Sequence, residues 1–287
     1  ASGINRLSIV LQSGDNEELK LLGRIHTYEQ FLKTYEFARS VGFNNINIDI
    51  ISGLPYQTAR KYGETLQKVI RLKPEHVSAY SLIIEKDTPF YETYKFDAVR
   101  QEAGLPTEVL PSEDEVYKMN KITQIVLKKA GYNQYEISNY AKRGFECRHN
   151  IGYWRRENYL GLGLGASSLV ENVRYSNTRE LYKYIEGCDN ITDVGDDIFV
   201  ANIHEEANVI NRQAQMEEFM FLGLRMNEGV YRNEFEKRFG LPIEAVYRDQ
   251  LEELKQEDLL EMREGRIYLT DKGMDLSNYA MAKFLMP

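Results

Sequence analysis

The feature that most constrains the fold is an alternation of β-branched runs with helix signals in the first half of the chain. The apolar runs are Leu7 to Leu11, Ile46 to Ile51 and Val77 to Ile84. After the first run, Thr27 to Gln30 reads as a capping box, and Gly42 closes the helical periodicity that follows. Strand, helix and strand in this order predict parallel strands with right-handed crossovers, hence an α/β fold.

The remaining segments are predicted from similar signals. Residues 86 to 111 are rich in Pro and Tyr and are expected to be irregular, and Tyr135 to Asn139 is expected to be one strand. From about Thr178 the pattern becomes mainly helical, and Leu260 to Leu269 predicts a hairpin around Glu264-Gly265. Helices followed by a hairpin suggest a winged helix.

Charge and cysteine usage exclude several classes of function. The formal net charge is -8, and the helix after Pro242 carries acidic side chains where a DNA-reading helix needs basic ones. No apolar run is long enough to span a membrane. Cys147 and Cys188 are expected to be free thiols of a cytoplasmic protein. We therefore expect no nucleic-acid binding and no integral membrane segment, and a C-terminal module that packs or binds a partner.

The most concentrated chemistry lies in Arg148 to Trp154, which contains His149, Asn150, Tyr153 and the sole Trp. Read as a strand, it places His149 and Tyr153 on one face and Asn150 and Trp154 on the other. The imidazole can ligate a metal such as haem iron, and the rings can stack on a flat ligand. The structural alternative, a core strand followed by a glycine-rich bend at Gly161-x-Gly163-x-Gly165, is favoured by the pattern alone.

A second set of candidates lies where the predicted strands end, the edge at which parallel sheets bind ligands. Gln12 ends the first strand, Arg24 follows it and Asp49 lies in the second. Gln12 and Asp49 can hydrogen-bond a cofactor, and Arg24 can bind a carboxylate. A buried structural carboxylate and a surface guanidinium remain equally good explanations. His26 and His76 are expected to be structural or solvated, and His204 to lie on an exposed segment.

Six ordered motifs resemble one known family. They are Gly3 to Ser13, Leu22 to Thr27, Asn47 to Thr58, Val77 to Leu82, Tyr135 to Tyr140 and Arg148 to Trp154. Together they are similar to the oxygen-independent coproporphyrinogen III oxidase-like branch of the radical S-adenosylmethionine (SAM) proteins. The His-Asn-x-x-Tyr-Trp motif is most similar to that of the haem chaperones in that branch.

The resemblance implies a fold and a set of site residues. It implies a partial TIM-type barrel over residues 1–177, whose strands here are the fourth to sixth, and a winged-helix-like domain over residues 178–287. Positions that contact SAM in the family correspond to Gln12, Arg24, Asp49 and Ile83. The haem-contacting candidates are His149, Asn150, Tyr153 and Trp154, with His149 the possible contact to haem iron.

One departure from the family is large. The Cys-x-x-x-Cys-x-x-Cys loop that holds the [4Fe–4S] cluster is absent from this sequence, and Cys147 and Cys188 cannot replace it. We therefore expect a fragment of a longer protein, in which the first strand has an exposed edge.

The resemblance implies a haem-binding, chaperone-like protein of haem metabolism that passes haem to an acceptor protein. SAM and the cluster are expected in the full-length protein. Two alternatives remain open at this point: radical oxidative decarboxylation of coproporphyrinogen III, and a scaffold that has lost its cluster.

Overall fold

A computed structural model describes residues 3–189 and 203–286 of the chain. They form two compact units, which divide between Glu146 and Cys147. Ala1 and Ser2, where the expected fragment begins, and part of the region predicted to be helical after Thr178 lie outside the described residues. The predicted boundary between domains at residues 177 and 178 remains a prediction.

The first unit is built on a five-stranded sheet with the order β1-β2-β3-β5-β4. Its strands are β1 Leu7–Gln12, β2 Ile46–Ser52, β3 His76–Ser81, β4 Asn133–Glu136 and β5 Asn139–Ala141. Strands β1, β2 and β3 pair in parallel, which confirms the predicted β-α-β-α-β unit. The single strand predicted at Tyr135 to Asn139 is wrong, because the chain reverses there and β4 and β5 pair antiparallel. Within the described residues β1 is an edge strand.

Within the described residues five helices accompany this sheet, and each begins at a side-chain cap. They are α1 Asn16–Leu21, α2 Tyr28–Ser40, α3 Ala59–Leu72, α4 Pro89–Glu102 and α5 Glu113–Lys129. The capping box predicted at Thr27 is present. The prediction of irregular structure over residues 86 to 111 is wrong for α4. Thr88 caps that helix, and Pro89 occupies its first turn, where the missing N–H costs nothing.

The two faces of the sheet differ in chemistry. One face packs against the helices: Ile46, Ile48 and Ile50 are fully buried, in one cluster with Leu66 and Val69 of α3. Burial of each such side chain stabilises the fold by about 1.5–3 kcal/mol. The opposite face is polar, because alternate residues along a strand point to opposite sides. It carries Ser8, Asn47, Asp49, His76 and Ser78.

The second unit begins with the short helix α6 Arg148–Trp154. It continues with an antiparallel sheet of β6 Ser167–Val170, β7 Val173–Asn177 and β8 His204–Val209, and with α7 Leu181–Asp189 between the last two strands. The expectation of helix throughout this region is wrong for β8. The segment that holds His204 is exposed over Glu206 to Val209, as predicted, although His204 itself is half-buried and its ring lies 4.3 Å from that of Tyr175. Pairing with β7, which the local sequence does not reveal, defines this strand.

The rest of the second unit has the predicted order of helices and hairpin. Its elements are α8 Arg212–Gly223, β9 Val230–Tyr231, α9 Arg232–Phe239, α10 Glu244–Gln256, β10 Leu260–Arg263, β11 Arg266–Leu269, α11 Asp271–Asp275 and α12 Ser277–Ala282. Strands β10 and β11 form the predicted hairpin, and β9 pairs with β11. The core contains the rings of Phe219, Phe235, Phe239 and Tyr247 in edge-on or tilted contact. Among the described helices, none is long and apolar enough to cross a membrane.

Candidate functional site

The segment predicted as a strand at Arg148 to Trp154 is the helix α6, so the strand prediction is wrong. In a helix, residues four apart lie on the same face. His149 and Tyr153 are therefore neighbours, and Asn150 and Trp154 form a second such pair beside them. The strand prediction would have separated the two pairs onto opposite faces, whereas the helix gathers all four side chains on adjoining parts of one surface.

The imidazole of His149 contacts the first of two aromatic rings that meet edge-on. Its centroid is 4.5 Å from that of Tyr153 at an interplanar angle of 68°, and Tyr153 meets Tyr159 at 4.6 Å and 85°. Edge-on contacts of this kind are the favoured geometry for aromatic pairs. Tyr159 is fixed by two backbone hydrogen bonds of 2.9 Å with Leu169 at the start of the β6–β7 sheet. His149 itself is exposed, while both tyrosines are half-buried.

A cation lies over the ring of Trp154. The guanidinium of Arg225 lies 4.3 Å from the centroid of the indole, within the range of a cation–π contact. The indole Nε1–H of Trp154 is buried and meets no acceptor within the part of the chain that the structure describes. A buried donor without a partner is costly. It is therefore a donor that a ligand or a water molecule can satisfy.

The end of α6 is anchored by a buried ion pair. Arg156 is 5% exposed, and its Nε donates to Glu218 of α8 at 2.6 Å. Its Nη1 donates to Asn172, and Arg174 contacts the second carboxylate oxygen of Glu218 at 3.0 Å. Loss of one partner from a buried ion pair is strongly destabilising. This contact therefore fixes the position from which α6 presents its side chains.

The glycine-rich bend after α6 is explained by packing. A Cβ at Gly161 would lie 2.4 Å from the carbonyl oxygen of Ser167, so only glycine fits there. The side-chain amide of Asn177 donates to the carbonyl oxygens of Gly161 and Gly163. These contacts favour the structural interpretation of the bend that the sequence left open.

The strand-end candidates of the first unit lie in different environments. Gln12 is 7% exposed, has a φ of 66°, and lies at an irregularity where the register of β1 against β2 shifts. Its Oε1 is buried and has no partner among the described residues. Arg24 is exposed beyond α1, and Ile83 is 79% exposed, two residues past the end of β3. Asp49 pairs with Val10 of β1 and is half-buried.

Asp49 belongs to a hydrogen-bonded network on the polar face of the sheet. It accepts from the amide of Asn47 at 2.7 Å and from the hydroxyl of Ser8 at 3.0 Å. The Oδ1 of Asn47 then faces the Nδ1 of His76 at 2.6 Å, so this ring nitrogen is the donor. The hydroxyl of Tyr135 can donate to its Nε2 at 2.9 Å. Burial, with a contribution from Arg6, lowers the pKa of His76 to about 3.

No cluster-binding site is built from these residues. Across residues 3–189 and 203–286, no group of three or more His, Cys, Asp or Glu side chains is placed to hold a metal ion. Cys147 and Cys188 are the two cysteines of the sequence, fewer than the three thiolates that such a cluster requires. The described residues therefore do not fit a [4Fe–4S] cluster.

This chain is similar to known proteins in both sequence and fold. Residues 1–69 match the radical SAM superfamily, and residues 210–276 match the HemN C-terminal domain. The chain is 39% identical to the heme chaperone HemW of Lactococcus lactis over 99% of its own length and 70% of that protein. The chain belongs to the HemW family. It is also 33% identical to the heme chaperone HemW of Bacillus subtilis, again over 99% of this chain and 70% of the relative.

The fold has a solved counterpart. The coproporphyrinogen III oxidase HemN of Escherichia coli, a radical SAM enzyme, superposes with a TM-score of 0.75 and 21% identity. The match covers 99% of this chain, and the chain spans 64% of the length of HemN. At that identity the match establishes the fold alone. It confirms the α/β partial barrel with a winged-helix-like C-terminal part.

Two contributors to the site on α6 were not assigned from the sequence. Tyr159 lies just beyond the motif, and an aromatic residue so close in sequence to His149 could have been assigned to the site. Arg225 is far along the chain, and no local pattern connects it to Trp154. The contacts made by Arg156 and Glu218 are also visible only in the folded chain.

Proposed function

We propose that this chain binds haem on α6, with His149 in contact with the iron, and passes the haem to an acceptor protein. The observation that carries the proposal is that His149 is exposed while its ring contacts Tyr153, which in turn contacts Tyr159. An axial ligand must present a free imidazole nitrogen. Within the described residues, we find no hydrogen bond to this imidazole. Its ring contact is with Tyr153, which leaves the nitrogens accessible.

The neighbouring side chains suit a flat, largely apolar ligand. Tyr153, Tyr159 and Trp154 supply aromatic surface, and the unpartnered Nε1–H of Trp154 can donate to a polar edge. Arg225 brings positive charge to the indole, which favours a ligand that carries carboxylates. Asn150 lies one turn before Trp154 and can donate or accept a hydrogen bond. The names of the relatives, heme chaperones, support the same ligand.

The proposal includes SAM and a [4Fe–4S] cluster in the full-length protein, because the first residues match the radical SAM superfamily. Gln12, Arg24, Asp49 and Ile83 are the proposed SAM contacts of this chain. The buried, unpartnered Oε1 of Gln12 supports this role, because it can accept a hydrogen bond from the cofactor. A cytoplasmic location is part of the same proposal.

The experiment is a haem titration of the complete protein, followed by the Soret absorption band. His149→Ala removes the proposed ligand, and His26→Ala is the matched control because His26 is a half-buried histidine of the other unit. We expect a saturable Soret shift for the native protein and for His26→Ala. For His149→Ala we expect the affinity for haem to fall by roughly tenfold or more relative to the native protein. Equal affinity of all three proteins would refute the role of His149. An absent shift in the native protein would refute haem binding.

A further inference from the structure

The backbone at Gln12 is strained. Its φ of 66° is unusual for a residue other than glycine, and the amide of Ser13 donates to the carbonyl of Leu11 at 2.9 Å across it. This three-residue turn has the φ of the rare, strained form of the γ-turn. Strained backbone of this kind persists only where its surroundings hold it, and it concentrates at functional sites. The residues that hold this turn therefore determine the position of Gln12, the proposed SAM contact.

A buried carboxylate lies beside this turn. Glu18 of α1 is 2% exposed, and its Oε2 accepts from the hydroxyl of Ser13 at 2.5 Å and from the amide of Gln57 at 2.9 Å. Ser13 and Gln57 are themselves buried. Glu18 Oε1 is buried as well and has no partner in the described part of the chain. Charge-assisted hydrogen bonds of this type are among the strongest in proteins.

The carboxylate joins the ends of two neighbouring strands. The hydroxyl of Ser13 also accepts from the backbone amide of Asp15, so it organises the turn that follows β1. Gln57 Oε1 accepts from the amide of Leu54 and thereby belongs to the loop that follows β2. Glu18 therefore connects the loops at the carboxyl ends of β1 and β2, where parallel sheets bind ligands.

The position of Glu18 in α1 does not explain its burial. An acidic side chain in the first turn of a helix is favoured by the helix dipole, but the adjacent Glu17 is exposed and meets that preference equally well. An ionised carboxylate is buried only at a cost, which its hydrogen bonds must offset. Because Glu18 bonds to Ser13 and Gln57, we attribute its burial to holding the loops that contain these two residues in position.

We infer that Glu18 is a positioning residue for the proposed SAM contact: through Ser13 and Gln57 it holds the strained turn that places Gln12. This inference rests on the proposed function, in which Gln12 contacts SAM. The proposed role of Glu18 involves no contact with the cofactor or with the reacting atoms. It acts through Gln12, and so its removal should matter only while the Gln12 side chain is present.

The first test measures SAM binding to the complete, cluster-loaded protein by equilibrium dialysis. We expect Glu18→Ala to weaken binding by roughly tenfold, as for loss of a hydrogen bond to a charged group. Glu18→Gln, which keeps an acceptor for Ser13, should restore part of the affinity, and Glu17→Ala should match the native protein. In a Gln12→Gly background, which relieves the strain and removes the side chain, Glu18→Ala should have no further effect.

A purely structural role gives a different result. In that case Glu18→Ala lowers the melting temperature yet leaves the SAM affinity unchanged, or weakens it equally with and without Gln12. Either result would overturn the inference.

A second measurement separates failure of the inference from failure of the proposed function. If the native protein does not bind SAM, the proposed function is wrong in that part, and the turn can still be examined in this chain alone. Hydrogen exchange of the Ser13 amide, which bonds to Leu11 across Gln12, should be faster in Glu18→Ala than in Glu17→Ala. Equal exchange in the two variants would show that Glu18 does not hold the turn.

Discussion

The imidazole of His149 meets the ring of Tyr153 edge-on, with centroids 4.5 Å apart, because the two residues are one helical turn apart in α6. Tyr153 in turn meets Tyr159. The proposed iron contact is therefore supported by a ring that does not itself need to touch the metal. Changes at Tyr153 should consequently alter haem binding through the orientation of His149.

Replacement of Tyr153 by Ala should weaken haem binding by roughly three- to tenfold, because each aromatic pair contributes about 0.5–1.5 kcal/mol. Tyr153→Phe retains both ring contacts and serves as the matched control. Its affinity in a Soret titration should stay within about twofold of the native value, a change below about 0.5 kcal/mol. If Phe and Ala weaken binding equally, the hydroxyl of Tyr153 matters and the ring contact does not.

Glu218→Ala should lower the free energy of unfolding by about 3–5 kcal/mol, because it leaves the charge of Arg156 buried without a carboxylate partner. The neighbouring pair of Arg155 with Glu228 supplies the comparison, since both of its side chains are substantially exposed. Glu228→Ala should cost at most about 1 kcal/mol. Urea unfolding of the three proteins measures both values, and similar losses for the two variants would contradict the assignment of the buried pair as the anchor.

The neutral, buried His76 predicts a loss of stability in mild acid. Its pKa is lowered to about 3 by burial, whereas an unfolded histidine titrates near its ordinary value of 6.5. Between these two values the unfolded chain binds a proton that the folded chain does not, so stability falls as pH decreases from about 6.5 towards 3. At pH 5 the loss should be about 2 kcal/mol relative to neutral pH.

The control for this prediction is His76→Gln, which retains a donor and an acceptor but does not titrate. Urea unfolding at several pH values compares the two proteins. The native protein should lose more stability than the variant between pH 7 and pH 5. Parallel curves would show that His76 does not carry this proton linkage.

Two glycine substitutions should change stability in opposite directions. Gly63 lies inside α3, and a Cβ added there would meet open space, so Gly63→Ala should stabilise the chain by about 0.5–1 kcal/mol. Gly161→Ala would place its Cβ against the backbone of Ser167 and should destabilise the chain. Thermal unfolding distinguishes them. A neutral Gly161→Ala would show that the bend can shift without loss.

The alternation of strands and capped helices in the first unit was predictable because its signals are local. Thr27 caps its helix within four residues, and Ile46, Ile48 and Ile50 alternate on one strand. The helix α6 was not predicted, because a short segment with Ile151, Tyr153 and Trp154 has the composition of a strand. The helix ends just before Arg156, whose buried ion pair with Glu218 is not visible in the local sequence.

The residues around each site show the same limit. Gln12 could be nominated because strand ends are recognisable in a sequence, and Asp49 because it is an acidic residue inside an apolar strand. Glu18 could not, because in the sequence it is one acidic residue in the first turn of a helix, beside Glu17. Its burial depends on Gln57, which lies beyond a different strand. Arg225 reaches Trp154 only through the packing of the second unit.

Hydrogen–deuterium exchange of the complete protein with and without haem shows where haem binds. We expect slower exchange in the peptides that cover Arg148 to Trp154 and the following turn to Tyr159, with little change in the β10–β11 hairpin. Protection confined to other parts of the chain, with exchange in α6 unchanged, would show that haem does not bind on α6.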